Sequence, residues 1–180
     1  MTLMDRISDI EIKIRDDIER LKNTIKDNTI TLDNYVQVIF LLLLFLVDCH
    51  HSKEEHNKAS HQLISYFKEA KKEYSENAEF LFFLGYFIPI AEWYFGVDDV
   101  SLAYQMREQA MLKSPGNILY EWAYYFSDPN NEQAGILSKK LLTQPDLGLN
   151  WLEEKGMPGR YIIGMIEKCS RDWELRHHAV

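Results

Sequence analysis

The chain is poor in cysteine, with two among 180 residues, Cys49 and Cys169. Two thiols cannot build a disulfide framework, so a small stapled fold is excluded, and the usage suits a reducing compartment. Proline and glycine are also scarce, at five and eight, and they fall mostly between apolar-periodic segments. Long helices are therefore expected. No alternating apolar–polar run is bounded by hairpin turn residues, which argues against strands. The longest unbroken apolar run, Val38 to Val47, has ten residues, well short of the ~20 needed to span a bilayer. The first ten residues hold acids early and lack the apolar centre of a signal peptide. A soluble, cytoplasmic protein without membrane contact is expected.

Signatures of chemistry are missing too. There is no phosphate-binding glycine loop, no G-x-S-x-G and no H-E-x-x-H. Cys49, His50, His51, His56 and His61 form the one metal-like cluster. It lacks paired C-x2-C or H-x3-H spacing, and a step of five between histidines rotates them around a helix. No catalytic residue, no metal site and no cofactor are expected. An enzyme with a metal at this cluster remains the rival that elemental analysis tests. Cys169 is expected as a core thiol.

What is present is helical periodicity. Ile7, Ile10, Ile14, Ile18, Leu21 and Ile25 recur at steps of three and four, which puts them on one face of a helix from Leu3 to about Asn28. After a break at Asn28–Thr31, Thr31 is a candidate N-cap. Helix two, Leu32 to Cys49, contains the apolar run and is expected at the centre of the fold. Helix three, about Glu54 to Ser75, buries Ala59, Leu63, Tyr66, Phe67 and Ala70. Segments then follow to Phe126, with Pro89 expected to kink the first of them. Helices at Asn130–Thr143, Leu147–Lys155 and Arg160–Trp173 complete the chain. Gly156–Gly159 is expected as a turn, and the tail from Arg171 as frayed. The fold class is all-α, a single domain over residues 1–180, with eight or nine helices in antiparallel hairpins around a buried central helix.

One stretch concentrates charge and rings. The chain is acidic, with net charge −8, which disfavours nucleic-acid binding and favours a basic protein partner. Between Asn77 and Gly135 lie eight acids and only two bases, Arg107 and Lys113, together with 14 of the 23 aromatic residues. Acids interleaved with Tyr and Trp suit a docking face: the rings supply rigid contact area and the field steers the partner. Glu92, Trp93, Asp98, Asp99, Tyr120, Glu121, Tyr124 and Asp128 are the expected contact residues. The Tyr120–Phe126 run is too aromatic for one helical stripe, so some of its rings should be exposed.

Two resemblances bear on this stretch. Counted back from Pro115, it resembles one tetratricopeptide repeat. Pro115 falls on the closing proline, Ala110 and Ala103 on small positions of the second helix, and Tyr94 on an aromatic near the end of the first. Ile90-Ala91 stand where the family has Leu-Gly, and Phe87 where it has Trp. Arg107, on a usually aromatic position, and Pro89, inside the first helix, depart from the pattern. The match covers about 34 residues and implies TPR-like hairpin packing. It also supplies the alternative function, an adaptor or scaffold that binds peptides. Leu84-Gly85-Tyr86, Glu92-Trp93-Tyr94-Phe95-Gly96, Pro115-Gly116-Asn117 and Tyr120-Glu121-Trp122 look like bacterial immunity proteins of contact-dependent growth inhibition and related polymorphic toxin systems. That likeness implies stoichiometric neutralisation of a cognate toxin domain. A basic nuclease would suit the charge, with its active site plugged or its substrate groove covered.

Overall fold

The computed structural model describes residues 3–26, 31–128 and 131–178, with side chains for 9–25, 31–128 and 131–177. Among the described residues there are nine α-helices and no strand. They are α1 (Leu3–Lys26), α2 (Leu32–Asp48), α3 (Lys53–Tyr74), α4 (Ala78–Phe87), α5 (Ser101–Lys113), α6 (Ile118–Tyr125), α7 (Glu132–Thr143), α8 (Leu149–Glu154) and α9 (Met157–His178). No described helix is long and apolar enough to cross a membrane. The contacts divide the chain into two compact units: Met1–Ser75 with Phe87–Asp99, and Glu76–Tyr86 with Val100–Val180.

In the first unit α2 packs against both α1 and α3. It is buried almost all round: Val38, Ile39, Phe40, Leu42 and Leu43 are at most 1% exposed. Burying each such side chain contributes about 2 kcal/mol, which is why the apolar run sits at the centre. Thr31 caps α2 with a full capping box: its hydroxyl accepts from the Asn34 N–H, and the Asn34 side chain accepts from the Thr31 N–H. Ser52 and Glu55 do the same for α3. On α1, Ile14, Ile18, Leu21 and Ile25 are buried as the periodicity requires, but Ile10 is exposed; Ile7 and the Asn28–Ile30 break lie outside the side chains or residues described. On α3, Tyr66 is only partly buried, beside fully covered Ala59, Leu63, Phe67 and Ala70.

In the second unit successive helices pack as neighbours, α5 on α6, α6 on α7, and α9 on both α7 and α8. Ala103 and Ala110 are fully buried, as small residues at a helix contact should be. Asn117 and Asn131 cap α6 and α7 through their side-chain oxygens.

Three expectations change. Pro89 does not kink a continuous helix: α4 stops at Phe87 and the chain continues as 3-10 turns over Ile88–Ile90 and Glu92–Phe95. Proline lacks the N–H that the α-ladder needs. The first helix of the repeat-like pair is therefore interrupted. Gly156–Gly159 is not all turn. Gly156, at φ 66°, makes the turn, and α9 already starts at Met157. Pro158 is tolerated there because first-turn N–H groups have no intrahelical partner. The tail from Arg171 is helical as far as His178.

Candidate functional site

The eight expected contact residues are shared four and four between the units. In the first, Pro89 and the extended-side Ala91 (φ −164°) turn the chain into the 3-10 segment Glu92–Phe95. Gly96, left-handed at φ 65°, ends that segment by donating its N–H to the Trp93 carbonyl at 3.3 Å. The segment is pinned by rings from below. Phe87 meets Phe40 at 4.9 Å, and Phe95 meets Phe67 edge-on at 5.3 Å and 86°. Two residues before Phe95, Trp93 is 62% exposed. Tyr94 is partly buried and touches His56 at 5.6 Å. Glu92 is partly buried, while Asp98 and Asp99 are exposed. An exposed Trp on a turn anchored by core rings, with Glu92, Asp98 and Asp99 within six residues of it in the chain, has the ingredients that hot-spot recognition uses.

In the second unit the four residues are less uniform. Tyr120 corrects the expectation outright: it is buried, 5.0 Å from Phe82, and cannot supply contact area. Burial, with Glu79 second, pushes its phenol up to about 12. Tyr120 points inward because Asn117 accepts from the Leu119 and Tyr120 N–H groups, which fixes the start of α6 and the face it turns to the core. Trp122 is fully buried; Tyr124, Tyr125 and Phe126 are partly buried, with Tyr124 edge-on to Tyr125 at 5.2 Å. Glu121 is partly buried and Asp128 exposed. The aromatic run of α6 therefore serves the interior first, and the strongest exposed ring is Trp93.

Histidines come together where the spacing argument separated them. Ser52 caps α3, so His51 lies outside the helix that carries His56, and the step of five no longer rotates them apart. His51 Nε2 lies 2.9 Å from His56 Nδ1. The Cys49 carbonyl can only accept, so His51 donates to it from Nδ1 at 2.7 Å. In the neutral pair His51 Nε2 is then the acceptor and His56 Nδ1–H the donor. His61 is turned elsewhere, bonded to the Asn57 carbonyl. Among the described residues no three or more His, Cys, Asp or Glu side chains are grouped so as to hold a metal ion. Cys169, expected in the core, is only partly buried.

Two further features were not expected. A cleft of about 240 Å³ in the first unit is lined by Arg15, Lys22, Leu42, Phe45, Glu55 and Lys58 among others. Arg15 lies over the Phe45 ring at 4.7 Å, pairs with Glu55 and donates to the His50 carbonyl at 2.7 Å. Lys22, on the same cleft, pairs with Glu19 at 2.6 Å. In the second unit Arg107 is buried. The one sequence signal for it was an arginine standing where the repeat pattern has an aromatic.

Comparison of the chain with known protein families, with curated proteins and with solved structures finds no match.

Proposed function

We propose that this chain is a binding protein that neutralises a basic protein partner. Its most concrete form is an immunity protein of a contact-dependent or polymorphic toxin system, acting on a toxin domain with nuclease-like basic charge. The observation that carries this reading is Trp93. It is 62% exposed, on a turn pinned by Phe87 and Phe95, in sequence with Glu92, Asp98 and Asp99. A soluble chain has little reason to hold an indole in water on an anchored turn unless another surface covers it. The carboxylates steer a cationic surface towards the ring, and the ring then supplies the buried area. Inhibition on this reading is stoichiometric: the acidic face occupies the place of the polyanionic substrate on a nuclease groove.

Affinity capture from the source cells, followed by mass spectrometry, tests it. The expected result is one dominant basic partner that is toxic when expressed alone, with growth restored by co-expression of this chain. A dominant partner that is harmless alone, or toxicity that this chain does not relieve, overturns the immunity reading. Many weak partners favour the peptide-binding adaptor instead.

A further inference from the structure

Arg107, on α5, is 4% exposed. Its guanidinium carbon lies over two rings, 5.2 Å from the centroid of Tyr86 and 5.1 Å from that of Tyr104. The space for its stem exists because residue 85 is glycine. A Cβ there would stand 2.6 Å from Arg107 Cγ and 3.1 Å from the Ala103 carbonyl oxygen. Arg107 Nε has no hydrogen-bond partner, and neither the buried Tyr86 hydroxyl nor the buried Trp122 Nε1 has one. Tyr86 and Trp122 are themselves stacked, 5.5 Å apart at 6°. Among the described residues no carboxylate pairs with Arg107, although its stretch of chain holds eight acids.

One aromatic stack thus contains three buried donors, and the only oxygen among them is that of the neutral Tyr86 hydroxyl. Burial pushes the Tyr86 phenol far above its ordinary value, and the Arg107 charge opposes this only in part. The phenol therefore stays protonated and remains able to donate. The two ring faces offset part of the cost of burying a cation, but they accept none of its N–H bonds. Buried polar groups in folded proteins are almost always satisfied, and a buried charge is almost always paired. What is missing is an anionic acceptor.

We propose that Arg107 anchors a buried anion site for a carboxylate, entered by rotation of Tyr104. The ring of Tyr104 both lies against the guanidinium and is 44% exposed, so its rotation would open Arg107 to solvent. A carboxylate is the class that fits, because a planar two-oxygen acceptor matches the guanidinium fork. The carboxylate comes either from a free small acid or from a protein segment. The site lies within the second unit and is independent of the Trp93 turn, so it stands or falls apart from the proposed function.

The test reads the Arg107 Nε–H signal by nitrogen-15 NMR, identified by its loss in Arg107→Lys. Should that variant fail to fold, through-bond assignment of the native chain identifies the same signal. Sodium formate is titrated at ionic strength matched with sodium chloride. The expected result is a saturable shift with formate and none with chloride, and an affinity several-fold tighter in Tyr104→Ala. If formate moves the signal no more than chloride in both the native chain and Tyr104→Ala, the site is refuted. A short peptide with a free terminal carboxylate, against its amide, separates the sources. Tenfold tighter binding than formate, lost on amidation, assigns a protein segment; equal or weaker binding assigns a free small acid.

Discussion

Trp93→Ala should leave the fold intact and remove most of the partner affinity. A tryptophan can bury up to about 250 Å². With 62% of it exposed, about 150 Å² is available to a partner. At about 25 cal/mol per Å² this sets a ceiling of about 4 kcal/mol. Ordering costs at an interface reduce the realised share to about 2 kcal/mol, or roughly 30-fold in Kd. The folded chain loses little, because the indole makes one described ring contact, with Tyr94 at 5.7 Å; surface changes of this kind stay within about 0.5 kcal/mol. Titration calorimetry against the captured partner measures the first effect and urea unfolding the second. Acrylamide quenching gives a reading that needs no partner. Trp122 is buried and Trp151 and Trp173 are partly so, so Trp93→Phe should remove the largest quenchable part of the indole fluorescence. An affinity change below threefold, or an unchanged quenchable fraction, refutes the reasoning.

Gly159→Ala should destabilise by about 3 kcal/mol in urea unfolding, although alanine is the better helix former. Its Cβ would fall on the Leu152 carbonyl, whose oxygen is 1.7 Å from the ideal Cβ position, and a gain in stability would refute the α8–α9 contact. Asn117→Ala should cost about 1 kcal/mol because two N–H groups lose their acceptor, and Asn117→Asp should restore most of it. Glu55 is held at about 2, below its ordinary 4.5, by the Ser52 N–H first and then by Arg15 and the Ser52 hydroxyl. Its contribution is complete above pH 4.5 and is lost as pH falls towards 2, so Glu55→Gln should flatten the acid limb of the stability curve in that window. An unchanged acid limb would show that these hydrogen bonds do not persist in solution.

Helix identity was legible because it depends on neighbours three and four residues apart. Ile14, Ile18, Leu21 and Ile25 announce their shared face, and Thr31 announces its cap, from the local order of residues alone. The burial of α2 was legible for the same reason, since ten apolar residues in a row leave a helix no polar side. Periodicity could not see where a face stops being covered, so Ile10 was expected inside and lies outside. Composition could not separate rings that fill the core from rings that face solvent: Tyr120 and Trp93 look alike in the chain, and the former is 7% exposed against 62% for the latter.

Acidity, helical class and the Thr31 cap were determined by the sequence by itself. These are local or additive properties, set by residue type and by the nearest few residues. The meeting of His51 with His56, the exposure of Trp93 and the enclosure of Arg107 between Tyr86 and Tyr104 were decided only by tertiary structure. Each depends on which elements pack together and on how a cap or a proline re-aims the chain, and burial is a property of that packing rather than of the residue.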